Sequence, residues 1–267
     1  MPPGLHVQHT HLPRAPLVLV VCEVRFQSVF RIADKVFVAA FQDAIRARYP
    51  TVGQEHEFQM TVGPDGLQQS PSTSKKWKFA EPAGVWTLSL SDAAMSIETR
   101  RYSDASEFLE RLKEALEALH QHVHPGQLDR IGLRYINEIH HPDVTSPTDW
   151  KGLVRDHFLG PIAADVVAGR RIDRTIQEIV VAPQQGHQLT IRHGHQPEGS
   201  TVLPAPGTPA ASTGPFYLFD FDHSVTGPNP LVPTSVAGLV DEFHSTNYDL
   251  FKSAITPKLW SYLEVAE

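Results

Sequence analysis

Residues 128–142 read LDRIGLRYINEIHHP, near the middle of a chain of 267 residues. Ile131, Leu133, Tyr135 and Ile139 stand at alternate positions, with Arg130, Arg134, Glu138 and His140 between them. A period of two is the mark of a strand with one apolar and one charged face. Tyr135 and Asn137 add a hydroxyl and an amide to the apolar side, so burial predicts a hydrogen-bond partner for each, from backbone or a covering helix. The charged side admits two readings. Arg130, Arg134 and Glu138 face solvent or a protein partner, or they line a concavity able to hold a small anion, with Arg134 pairing to Glu138.

Upstream, Leu17 to Phe26 (LVLVVCEVRF) is rich in β-branched residues and alternates in its second half, which predicts a strand. Residues 1–16 contain three prolines among the first thirteen and His6, His9 and His11, and read as a flexible lead-in. Asp34 is placed to cap a helix reaching about Tyr49, where Pro50 ends it. Strands are expected at 55–62, 75–80, 85–91 and 94–101 as an antiparallel meander, with the polar stretch Gln68 to Ser74 as a mobile loop. Ser103 opens a long amphipathic helix carrying Phe108, Leu112, Leu116 and Leu119, closed by Pro125-Gly126.

Downstream of 128–142, a short helix capped by Thr148 or Asp149 is expected through about Leu159, then a hairpin formed by 171–182 and 188–193. Residues 196–215 are rich in proline, glycine and small polar residues and read as an exposed loop insertion. Phe216 to His223 is the last expected strand. A final helix opens at Thr234 or Ser235, and Pro257 marks a kink or the start of another helix.

The order strand, helix, meander, long helix occurs twice. The expected class is therefore α+β, with two topologically similar halves (17–126 and 127–267), each a curved antiparallel sheet with a short and a long helix packed on one face. Residue identity between the halves is poor, so the duplication is one of topology.

Composition narrows function. Hydrophobic residues make up 41% and charged residues 20%, as in globular proteins generally. A formal net charge of -7 argues against nucleic-acid binding by whole-surface attraction. Lys76 and Lys78 flank Trp77, but in a strand they face away from it, as on an ordinary edge. Cys22 is the only cysteine, so neither an intrachain disulfide nor a thiolate metal cluster forms within one chain. No run approaches the roughly 20 apolar residues of a spanning helix, and no signal-like apolar core opens the chain, so a cytoplasmic protein off the membrane is expected.

No phosphate loop, GxSxG turn or HExxH helix is present, and no cofactor is expected. One group of residues suggests a metal. His193 and His195 share a strand face, Asp220 and Asp222 share another, and convergence of the four would suit a divalent ion in a hydrolase or nuclease. Against it, Leu189 and Ile191 share the face of the two histidines. His120 and His124 sit four apart at a helix end, where the helix dipole alone favours them.

Three stretches carry a resemblance: PLVLVVCEVRF at 16–26, IGLRYINEI at 131–139, and a C-terminal pattern of Phe243-His244, Phe251, Ile255-Thr256 and Leu259-Trp260. Together they make the chain, from Pro16 to Trp260, similar to a sporadically distributed family of uncharacterised prokaryotic proteins of about 250–270 residues. The resemblance implies no catalytic residue. Patchy distribution associates such families with mobile or defence gene neighbourhoods. The leading expectation is a non-enzymatic binding or adaptor protein, with a protein partner or self-association.

Overall fold

The alternation at the start of the chain folds as its pattern predicts. Leu17–Phe26 forms strand β1, in which Cys22, Val24 and Phe26 are buried and Arg25 is exposed. The computed structural model describes residues 12–63, 66–164, 166, 169–201 and 212–265, without the side chains of 56–63 and 66–75. The proline-rich lead-in through residue 11 and the centre of the expected insertion, 202–211, lie outside the described residues.

Among the described residues, eight further strands follow: β2 (Thr51–Gly63), β3 (Gly66–Ala80), β4 (Trp86–Leu90), β5 (Ala94–Thr99), β6 (Leu128–Ile139), β7 (Gln177–Val181), β8 (His187–Gln196) and β9 (Phe216–Asn229). Five helices of the described residues join them: α1 (Lys35–Ile45), α2 (Ala105–Ala118), α3 (Asp156–Leu159), α4 (Pro233–Ala254) and α5 (Pro257–Glu264). The class is α+β, and the nine strands form one antiparallel sheet in the order β2-β3-β4-β5-β1-β6-β9-β8-β7. Among the described residues, no helix is long and apolar enough to cross a membrane.

Contacts divide the chain into two compact units. Val20–Leu133 with Ser224–Glu242 forms one, and Met1–Leu19, Arg134–His223 and Phe243–Glu267 form the other. In the first, Asp34 caps α1 by accepting from the Val36 N–H at 2.9 Å, and Val38, Phe41 and Ile45 turn inward. Asp104 rather than Ser103 caps α2, accepting from the Glu107 N–H, and Phe108, Leu112 and Leu116 are buried. The helix closes through a π-turn at Leu119–Val123 and a left-handed His124 with φ 54°.

Two expectations in this unit are corrected. The stretch Gln68 to Ser74 is strand, not loop, because its backbone pairs with β2 from Gly63↔Gly66 to Thr51↔Ala80 across one bulge. The stretch around Trp77 is not an edge either: β3 lies between β2 and β4, and Trp77 is buried, its indole N–H donating to the Ile32 carbonyl at 2.7 Å.

In the second unit, the β6 alternation holds. Tyr135, Asn137 and Ile139 are buried on one side, and Ile136 on the other packs with Leu19, Phe216 and Leu218. The helix expected over 149–159 is corrected to a 3-10 turn at Pro147–Trp150 followed by the single turn α3. Gly152, at φ 80°, breaks the run, and the backbone of 153–155 bonds the junction of α4 and α5 instead. Arg155 N–H donates to Ala254 O at 2.9 Å, and Thr256 N–H to Leu153 O at 2.8 Å. Thr256 also caps α5, with Pro257 in its first turn, so a new helix starts there and no kink is needed. The hairpin of β7 and β8 is present, with Ile179 opposite Ile191. β9 runs to Asn229, beyond the expected end at His223.

Candidate functional site

Each strand of the second unit sends alternate residues to opposite sides, and these two sets carry different chemistry. Arg134 on β6 meets Asp220 on β9 through a bidentate bridge, Nε to Oδ1 at 2.8 Å and Nη2 to Oδ2 at 2.7 Å. Arg192 on β8 places Nη1 3.5 Å from the same carboxylate and donates through Nε to Glu178 on β7. Four strands are thus laced by alternating charges. Asp220 is 2% exposed, and its hydrogen bond holds the Arg134 guanidinium above its ordinary pKa despite burial, with Asp222 adding to the effect. Both cations of this ladder face carboxylates, so Arg134 is a compensated cation rather than an open anion receptor.

The other two residues of the charged set on β6 have partners of their own. Arg130 lies over Gly132, where a Cβ would come within 2.5 Å of its guanidinium, and sits 3.6 Å from the Glu23 carboxylate. Glu138 approaches His140 at 4.0 Å, and its backbone N–H donates to Pro16 O at 2.8 Å. The expected pair Arg134 to Glu138 is therefore replaced by Arg134 to Asp220.

His193 and His195 face the opposite way, toward helices and turns. The Trp150 indole N–H donates to His195 Nδ1 at 3.0 Å, which places the proton of the neutral imidazole on Nε2. Tyr217 donates its hydroxyl to Phe158 O at 2.9 Å and lies 3.1 Å from His193 Nδ1, so the ring donates to the phenol oxygen. Phe158 stands edge-on to His193, with centroids 5.0 Å apart. Burial pushes the His193 imidazole down to about 4, with His157 adding to the effect, and lowers His195 as well. Both rings are neutral packing elements with their hydrogen bonds directed to Tyr217 and Trp150. Asp220 meanwhile is bound to Arg134, so the structure does not bring His193, His195, Asp220 and Asp222 together. Among the described residues no three His, Cys, Asp or Glu side chains are arranged to hold a metal. Cys22 is buried too, and burial with the nearby Glu23 pushes its thiol up to about 12, leaving it protonated at neutral pH.

The hydrogen bonds expected of Tyr135 and Asn137 form, with partners the sequence does not name, and two further features of this unit escape a reading of it. Tyr135 bonds His244 Nδ1 on α4 at 2.6 Å, while Asn137 donates to Phe219 O at 3.2 Å. Asn247 and His223 are buried polar groups at positions where helix and strand periods call for apolar ones. Only the period of α4 hints at the first, since 243, 244, 247 and 251 share one helical stripe. Lastly, β7 ends the sheet and is exposed on both faces, with Ile179 47%, Val180 57% and Val181 39% exposed, and Ile176 just before it 52%.

The chain matches no family model and no curated protein.

Proposed function

We propose that this protein acts by binding rather than by catalysis, as a self-associating adaptor whose β7 edge pairs with β7 of a second copy. The carrying observation is an edge strand with exposed apolar side chains on both faces, Ile179 and Val181 on one and Val180 on the other. Thr175 N–H bonds His195 O at 3.0 Å, and the ladder continues with Gln177↔His193, Ile179↔Ile191 and Val181↔Leu189. In an antiparallel ladder alternate residues bond the same neighbour, so Gln177, Ile179 and Val181 bond β8. Ile176, Glu178 and Val180 aim their N–H and C=O groups outward.

A second copy suits this edge because the strand is self-complementary. Antiparallel pairing centred on Val180 sets Val180 against Val180, Ile179 against Val181 and Glu178 against Ala182. A slip to Glu178 would oppose like charges, which fixes the register. The resemblance to an uncharacterised prokaryotic family, the topological duplication and a cytoplasmic setting with one cysteine are consistent with this reading and belong to it as proposals.

Sedimentation equilibrium tests it. The wild type is expected to dimerise at tens of micromolar. Val180→Pro, which removes an outward donor but no bond to β8, is expected to be monomeric with an unchanged far-UV spectrum. A wild type that stays monomeric at several hundred micromolar, or a Val180→Pro variant that still dimerises, overturns the proposal.

A further inference from the structure

Phe243 stacks on His223 with centroids 4.0 Å apart, and eight residues later Phe251 meets Phe219 edge-on at 6.3 Å. Eight helical residues advance about 12 Å and four strand residues about 13 Å, so this part of α4 runs antiparallel alongside β9 and in step with it. Midway between these two contacts, Asn247 on the helix falls at the level of Phe221 on the strand. Asn247 is 0% exposed, and neither its Nδ2 nor its Oδ1 has a hydrogen-bond partner among the described residues. The same is true of both ring nitrogens of the buried His223, two strand residues from Phe221.

Four orphaned polar atoms on one buried seam are rare, because buried donors and acceptors in folded proteins find partners. Their separation is informative. Two strand residues span roughly 6.6 Å along the backbone, and side chains that reach out from it bring the amide and the imidazole within span of one small molecule bonded to both at about 2.9 Å each. The amide offers donors and an acceptor, and the neutral imidazole one of each, so the guest must both donate and accept. A charged guest would enter a seam whose two hosts are uncharged, with no counter-ion between them. We propose that the seam between α4 and β9 binds a small neutral hydrogen-bonding molecule, held by the Asn247 amide and the His223 imidazole.

The groups facing His223 agree with this chemistry. Phe243 covers one ring face, and the His187 ring lies edge-on with centroids 6.0 Å apart. Burial pushes the His223 imidazole down to about 4, His187 adds to that effect and Asp222 opposes it, so the ring is neutral at pH 7. The seam therefore keeps its donor and acceptor pattern across the neutral range.

Water and a small organic amide or alcohol share this chemistry, and two measurements on the intact protein separate them. Mass spectrometry of the supernatant after solvent denaturation reads a released organic molecule, in one-to-one ratio with protein. Water cross-peaks to the Asn247 side-chain amide protons in labelled protein read a bound water. Either signal is expected in the wild type and is expected to vanish in His223→Phe, and the released molecule is expected to vanish in Asn247→Leu as well. If both are absent from the wild type, or if either persists unchanged in a folded variant, the site does not exist.

Discussion

The bridge from Arg134 to Asp220 gives the sharpest test of how the second unit is held together. Replacing Arg134 by Leu leaves the Asp220 carboxylate, 2% exposed, without both of its short bonds. Breaking one side of a buried pair costs about 3–5 kcal/mol. The lower end applies, because Arg192 remains 3.5 Å away and Arg134 itself is 31% exposed, so water screens the pair in part. We expect a loss of about 3 kcal/mol, which for 267 residues lowers the melting temperature by roughly 5 °C. Asp220→Leu leaves Arg134 free to reach water and is expected to cost about 1 kcal/mol, because only the partner at the surface is stranded. The double variant is expected to cost about 1–2 kcal/mol, since no uncompensated charge stays buried. Urea unfolding of the four proteins yields the coupling energy, expected at about 2–3 kcal/mol. A coupling within about 0.5 kcal/mol of zero, the scatter of independent sites, would refute the claim that this pair organises the ladder.

Two further outcomes follow from the covered side of the sheet. Tyr135→Phe removes the 2.6 Å bond to His244 while keeping the ring, and is expected to destabilise by about 1–2 kcal/mol in urea titration; no change would show that the bond adds nothing. His193 and His223 have imidazoles held down to about 4, below the ordinary value of 6.5. Between these values the unfolded chain binds more protons than the folded one, so stability is full above about pH 6.5 and falls as pH drops toward 4. The loss is bounded at roughly 3 kcal/mol per histidine. His193→Phe is expected to flatten the urea midpoint between pH 7 and 5, and an equally steep profile in that variant would remove His193 from the account.

What the sequence shows and what it hides separate along one physical line. Period two makes β1, β6 and the hairpin of β7 and β8 legible, because each strand's own residues report its two faces. The hydroxyl of Tyr135 and amide of Asn137 are legible for the same reason. Partners across strands are not. Arg134 and Glu138 look like a pair on paper, yet residues four apart in a strand stand about 13 Å from one another, and the actual partner of Arg134 lies 86 residues away. The metal group of His193, His195, Asp220 and Asp222 looks plausible because each pair shares a face of its own strand. Alternation within β8 and within β9 does not say which face of one aligns with which face of the other; pairing does. Register sets His193 beside Tyr217 and turns Asp220 to Arg134 on the opposite side. One residue of slip between these strands would have exchanged those neighbours, so the chemistry of this unit is decided by register and not by the residue types present.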